Sequence, residues 1–251
     1  LSSSGGDSMR AVLSDAKVLK LSMDAISNMI DEANIEASEA GLRLRAMDPA
    51  HVALVDFLLP AGSFDEYECG SEMVLGVDLD RLNTILKRAG SADSVELRAD
   101  GEKLDIVLHG RAKRRFSLPL IEVGDEELRV PELSFLAAVE IEPKLLSEAI
   151  KDVEIASEHV TFACDQQSFR ISGSGDLGSV EVEISREEAI SFSCEAPARS
   201  MFSIDYLRDM TRAGDLAESA RLSIGNDIPL KLEYLGSASL SFLLAPRIES
   251  E

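Results

Sequence analysis

The sequence predicts an α+β protein built as two tandem copies of one domain, each copy having antiparallel sheets that carry two helices on one face. Three observations predict this. Residues recur at a fixed offset: Lys17 and Lys144, Leu19 and Leu146, Arg43 and Arg170, and Val77-Asp78 and Ile204-Asp205 each lie 127 positions apart. Arg88-Ala89-Gly90 returns as Arg212-Ala213-Gly214 after a three-residue deletion. Four stretches have helical apolar spacing and the remainder alternates as short strands. The helix–strand order also restarts after a Pro- and Gly-bearing stretch at 119–134. A repeat that keeps both residues and order is a duplicated domain. The expected divisions are 9–118, a connecting loop at 119–134, and 135–251, with 1–8 (LSSSGGDS) read as a cloning remnant.

The elements follow in order. Residues 10–13 open as a strand. Residues 15–30 form a helix, with Val18, Leu19, Met23, Ala25, Ile26, Met29 and Ile30 on one face and Ser14 or Asp15 as N-cap. Short extended pieces at 34–37, 42–46, 52–59, 64–69 and 72–77 precede a helix at 78–89, stopped by Gly90. Residues 95–99 and 103–109 flank an Asp100-Gly101 turn as a hairpin, and 111–118 is a further strand. The second copy starts with an extended stretch at 135–141 and a helix from Pro143 through Ile155, proline suiting the first helical turn. Strands at 159–164, 169–172, 180–185 and 189–194, a helix at 205–213 ended by Gly214, and strands at 220–224, 229–235 and 238–244 complete it. Each copy thus has two helices and eight or nine strands.

Composition narrows the function. The 251 residues are 45% hydrophobic with no Trp, so aliphatic packing dominates. No apolar run reaches the roughly 20 residues of a membrane span. Cys69, Cys164 and Cys194 are odd in number and widely spaced, which fits no metal or disulfide framework and suits a reducing cytoplasm. The formal net charge of −21 opposes a duplex phosphate backbone unless basic residues are gathered on one face; it also fits a salty cytoplasm or plain solubility.

The basic residues are gathered. On a helical wheel Lys17 and Lys20, then Lys87 and Arg88 with Arg81 to the side, then Lys144 and Lys151, and Arg208 and Arg212 lie opposite the apolar faces of the four helices. For any one helix this is an ordinary solvated face. Four sharing it would make a dilute positive track, able to touch phosphates without reading bases. Late in the first copy, Arg111, Lys113, Arg114 and Arg115 mark a basic strand, and Glu181 and Glu183 mark an acidic strand in the second. Paired edge strands of opposite charge would join subunits; internal strands with solvated charges are the alternative.

Other motifs lead nowhere. Gly173-Ser174-Gly175-Asp176-Leu177-Gly178 satisfies G-x-G-x-x-G, but a strand follows it where the dinucleotide mechanism needs a helix, so it reads as a turn. His51, His109 and His159 are isolated, Asp78 and Asp80 suit a helix start, and no catalytic or metal constellation is present. Met47, His51, Val52 and Leu54 surround an Asp-Pro break, either as a docking pocket or as a well-packed turn.

Leu44-Arg45-Ala46-Met47-Asp48 followed by His51-Val52, the Ser-Gly-x-Leu-Gly turn, and the ending Leu244-Ala245-Pro246-Arg247-Ile248-Glu249 resemble the proliferating cell nuclear antigen family of sliding clamps in its archaeal form. The resemblance implies a DNA-clamp fold, helices inside and sheets outside a pseudo-six-fold ring, and hence a homotrimer. It implies a polymerase processivity factor that encircles double-stranded DNA without reading sequence, needs a clamp loader, has no cofactor, and works in the cytoplasm at the nucleoid. Polymerase, flap endonuclease and ligase would bind through PIP-box peptides. The groove for them would be Met47, His51, Val52, Leu54, Leu128, Val130, Pro131, Ile228, Pro229, Leu244, Ala245 and Pro246. A heteromeric checkpoint-type clamp and an acidic α+β enzyme with a diffuse site are the alternatives.

Overall fold

The structure is a computed structural model that describes residues 8–124, 128 and 130–248. Most of the presumed cloning remnant, the acidic run at 125–127 and Glu249 lie outside the described residues. Among these residues the first copy runs β1 (Met9–Leu13), α1 (Lys17–Ser27), β2 (Glu32–Ser38), β3 (Gly41–Met47), β4 (Ala53–Pro60), β5 (Glu66–Cys69), β6 (Met73–Asp78), α2 (Leu79–Leu86), β7 (Ser94–Ala99), β8 (Lys103–His109) and β9 (Lys113–Pro119). The second runs β10 (Ala137–Ile141), α3 (Pro143–Glu154), β11 (His159–Cys164), β12 (Ser168–Gly175), β13 (Gly178–Ser185), β14 (Ser191–Cys194), β15 (Ala198–Ser203), α4 (Ile204–Met210), β16 (Ala220–Ile224), β17 (Leu230–Leu235) and β18 (Ser239–Leu244). The two lists match element for element.

The pairings repeat as well. The first copy sets β5-β1-β7-β8-β9 side by side and the second β14-β10-β16-β17-β18; the remaining strands run β4-β3-β2-β6 and β13-β12-β11-β15. Every pairing with a defined register is antiparallel, from β1 with β7 (Ala11 opposite Leu97) to β12 with β13 (Ile171 opposite Val182). By contacts, one compact unit takes in the residues up to Ala46, Val55–Leu128 and Ser237–Ser239. The other takes in Met47–Leu54, the residues from 130 to 236, and those from Leu240 onward.

Within the first unit Leu19 and Met23 of α1 and Leu82 of α2 meet Met9, Leu44, Leu75 and Leu97 from both groups of strands. The scarce aromatics sit deepest in the second unit. Phe162 stacks at tilted geometry on Phe169 and Phe202, with ring centroids 5.6 and 5.7 Å apart. Each ring is fully buried, as are Tyr234 and Phe242.

Several boundaries differ from the sequence reading, each for a local reason. Helix α1 starts at Lys17 after an Ala16 cap, not a Ser14 or Asp15 cap; Asp15 Oδ1 accepts from the Lys17 N–H at 2.8 Å. Strand β15 was not legible, because its buried alternation includes Ser200. That hydroxyl donates to the Gly225 carbonyl and accepts from the Asp227 N–H, both at 2.8 Å, so a polar residue occupies a core position. Helix α4 stops at Met210, and a 3-10 turn continues over Thr211–Leu216, so Gly214 does not end it. Its hydrogen-only side fits Pro143, which an added Cβ would approach to 3.2 Å.

One buried carboxylate fixes the first unit's strands. Glu96 is 3% exposed and is ringed by Arg10 Nε at 2.6 Å, Arg98 Nη2 at 2.6 Å and His109 Nε2 at 3.0 Å. Burial pushes the Glu96 carboxyl up, but His109, Arg98 and Arg10 outweigh it and hold it down at about 2. A depressed carboxylate stabilises fully above its unfolded value, and that stability is lost as pH falls toward the folded value. Glu96→Gln is therefore expected to cost about 2–3 kcal/mol at neutral pH and to flatten the acid limb between about pH 4.5 and 2, as read by urea unfolding across that range.

Candidate DNA-facing helices, edge strands and peptide groove

The two helices of each copy pack against one another. In the first, Asn83 Nδ2 of α2 donates to Ser27 Oγ of α1 at 2.9 Å, and Lys87 reaches Asp24 at 2.7 Å. In the second, Arg208 of α4 reaches Glu154 of α3 at 2.5 Å. The nine cations expected on these faces divide into three groups. Arg81 pairs with Asp78 (3.2 Å), Lys87 with Asp24, Lys151 with Glu148 (2.8 Å), Arg208 with Glu154 and Asp205, and Arg212 with Asp209 (3.6 Å). Lys20 is half-buried and donates to the Ala89 carbonyl at 2.7 Å. Lys17, Arg88 and Lys144 are exposed, and among the described residues their side chains hold no ion pair. Lys17 and Lys144 are the two positions related by the repeat, as are Arg81 and Arg208, again 127 apart. Among the described residues the first helix pair thus offers Lys17 and Arg88, and the second Lys144, as exposed charges without an ion pair.

Both charged strands lie where an open edge requires. Among the described residues β9 ends the five-stranded sheet and β13 ends the four-stranded one. Lys113 and Arg115 are exposed on β9, as is Arg111 just before it; Glu181 and Glu183 are exposed on β13. Arg114 departs from the expectation that it stands with them. The pleat turns it to the other face, where Nη2 binds Asp93 at 2.6 Å and Nη1 donates to the Arg88 carbonyl at 3.1 Å. It braces the end of α2. Glu183 also lies 3.9 Å from Arg170 of its own sheet.

The 47–54 segment belongs to the same compact unit as the C-terminal segment from Leu240. The Ala245 N–H donates to the Val52 carbonyl at 2.9 Å, tying the tail to the loop. Of the residues expected to line the groove, Met47, Val52, Ile228, Pro229, Ala245 and Pro246 are partly exposed, while His51, Val130 and Pro131 are open to solvent. Leu54 and Leu244 are buried core and offer no exposed surface, which departs from the expected lining. Leu128 is half-buried in the other unit, so its place in the groove rests on the resemblance alone.

Asp48, which the sequence reading used only as a chain break, organises this loop. Oδ1 accepts from the Val52 and Ala53 N–H groups at 2.7 Å, and Oδ2 from Ala50 at 3.3 Å and from the Tyr206 hydroxyl at 2.5 Å. These bonds hold His51 at φ 57, in the left-handed region. Burial pushes Asp48 up, yet the Ala53 N–H, the Tyr206 hydroxyl and the Val52 and Ala50 N–H groups hold it below the usual carboxylate range. Burial first and Asp48 second push the Tyr206 hydroxyl up to about 12. An Asp followed by Pro, ahead of several unpaired N–H groups, is the Asx-turn signal that could have shown this. Nothing local marked Tyr206. No helix is long and apolar enough to cross a membrane, and no group of three His, Cys, Asp or Glu that could hold a metal ion occurs among the described residues.

A duplicated antiparallel domain with paired helices on its sheets, sparse repeated cations on those helices and open edges of opposite charge defines a clamp-type protein. The comparisons agree over nearly the whole chain. The family model for the proliferating cell nuclear antigen N-terminal domain matches residues 8–125, and that for the C-terminal domain matches 129–248. A DNA polymerase sliding clamp from Methanothermobacter thermautotrophicus is 38% identical over 96% of this chain and 99% of its own. One from Thermococcus sibiricus is 37% identical over 95% and 98%. The solved PCNA of Thermococcus kodakaraensis superposes with a TM-score of 0.90 at 29% identity, covering 95% of this chain and all of that one. The chain belongs to the proliferating cell nuclear antigen family.

Proposed function

We infer that this chain is a DNA polymerase sliding clamp: three copies close a ring around duplex DNA and tether polymerase to it. The observation that carries the reading is the repetition of exposed cations, Lys17 with Lys144, on equivalent helices of the two copies. Contacts of this kind hold phosphates at any sequence. Few of them are free, so each contact is weak and the ring moves along the duplex while its closure prevents escape. Catalysis stays with the enzymes it carries. Those enzymes, among them flap endonuclease and ligase, dock short helical peptides with aromatic anchors in the groove of Met47, His51, Val52, Ile228, Pro229, Ala245 and Pro246, together with Val130 and Pro131. Rings are opened and closed by an ATP-driven loader.

The test is retention by topology. Loaded onto nicked circular duplex by an archaeal clamp loader with ATP, the protein is expected to stay bound through gel filtration and to be released when the circle is cut once. Lys17→Glu with Lys144→Glu is expected to lower loading severalfold without dissolving the ring. Equal retention on cut and uncut DNA would show ordinary binding and overturn the reading.

A further inference from the structure

Two of the three cysteines, scattered in sequence, come together in the fold. Cys164 ends β11, opposite Ala198 of β15 and Phe169 of β12. Cys194 ends β14, opposite Ala137 of β10. Only residues 195–197 separate β14 from β15, so Cys194 lies four positions before the residue paired with Cys164. The register thus brings the two cysteines to neighbouring ends of two sheets of one unit, and Cys194 is among the groups that act on the Cys164 thiol. Both are reduced, and each thiol donates to a nearby carbonyl, Cys164 to Asp165 at 3.6 Å and Cys194 to Ala196 at 3.2 Å. Cys69 lies in the other unit.

We propose that Cys164 and Cys194 are a redox-responsive dithiol, a modification site for hydrogen peroxide that closes into a disulfide joining β11 to β14. The order of events follows from exposure. Cys164 is 2% exposed, whereas Cys194 is half-exposed and meets the oxidant first. The Cys194 thiolate attacks one peroxide oxygen; the O–O bond breaks, Cys194 becomes a sulfenic acid, and the departing hydroxide takes a proton as water. Cys164 then loses its proton and attacks the Cys194 sulfur. The S–S bond forms and the second hydroxide leaves with that proton as water. Two thiols are oxidised and one peroxide is reduced to two waters. Burial first, and the neighbouring Cys194 second, push the Cys164 thiol up to about 12, so the second step is the slow one. A dithiol reductant reverses the bond, as expected of a sensor in a reducing compartment.

The experiment uses the full-length protein as it stands. After peroxide treatment, denatured thiol titration is expected to fall from three cysteines to one, the intact mass to drop by two hydrogens, and digestion to yield one peptide pair joined through 164 and 194. Closing this loop of about 30 residues should raise Tm by roughly 5–10 °C, and dithiothreitol should restore it. Cys69→Ser should keep the cross-link, and Cys194→Ser should abolish it. Three persistent thiols, Cys194 oxidised to sulfinate with Cys164 untouched, or bonds through Cys69 or between chains would each overturn the proposal. The main readout needs no variant, so a misfolded mutant cannot obscure it.

Discussion

Lys113→Glu combined with Arg115→Glu is expected to turn the ring into folded monomers. Both side chains stand exposed on β9, the last strand of its sheet, and neither holds an ion pair among the described residues. The proposed partner edge is β13 of a neighbouring copy, where Glu181 and Glu183 stand exposed. A cross-strand charge pair contributes about 0.2–1 kcal/mol, and a like pair costs a similar amount. Reversing two positions therefore shifts each interface by about 1–4 kcal/mol, a factor of roughly five to several hundred in its dissociation constant. A ring closes only if every interface holds, so these losses compound. Light scattering should give one chain mass, 27.2 kDa, in place of three. Restoring the ring by adding Glu181→Lys and Glu183→Lys would tie the effect to charge across this edge. A double variant that remains trimeric would place the interface elsewhere. Arg114 is left out because its bond to Asp93 belongs to the chain's own fold, and its reversal would damage the end of α2.

Asp48→Ala is expected to abolish peptide capture with less harm to the ring. The change removes the acceptor for three backbone N–H groups and for the Tyr206 hydroxyl in one step. Charge-assisted bonds of this kind are each worth about 1.5–3 kcal/mol, and partial resolvation of an exposed loop returns some of it. A net destabilisation of about 2–4 kcal/mol and at least tenfold weaker binding of a PIP-box peptide follow. Calorimetry with the peptide and urea unfolding would measure the two effects separately. The sign with pH is fixed by the depressed Asp48: its contribution is full above the unfolded carboxylate value and fades as pH falls through the lower folded value. Tyr206→Phe deletes one of the four bonds and should produce a smaller loss in the same direction. Wild-type peptide affinity in Asp48→Ala would remove the loop from the binding site.

Much of the architecture was legible because it depended on pattern. The 127-residue offset carried the duplication, and the apolar periods placed all four helices. The G-x-G-x-x-G stretch was read as a turn; only Asp176 and Leu177 turn, while Gly173–Gly175 end β12 and Gly178, at φ 130, opens β13. What stayed hidden depended on partners distant in sequence. Ser200 broke the alternation of β15 because its hydroxyl is satisfied by Gly225 and Asp227, which no local window includes. Arg114 looked equivalent to Arg115, yet the pleat of a strand sends neighbours to opposite faces, and Asp93 claims one of them. The Asp48–Tyr206 bond spans 158 positions, and Cys164 and Cys194 lie on strands of different sheets. In the groove, apolar character alone could not separate Leu54 and Leu244, which are core, from Val52 and Pro246, which reach the surface.

The native mass of the purified chain, recorded alone at micromolar concentration, tests the ring most directly. Three times 27.2 kDa is the expected result, since one kind of chain carries both the basic and the acidic edge. A mass of one chain, or a trimer seen only after other clamp-like chains are added, would contradict a self-sufficient ring.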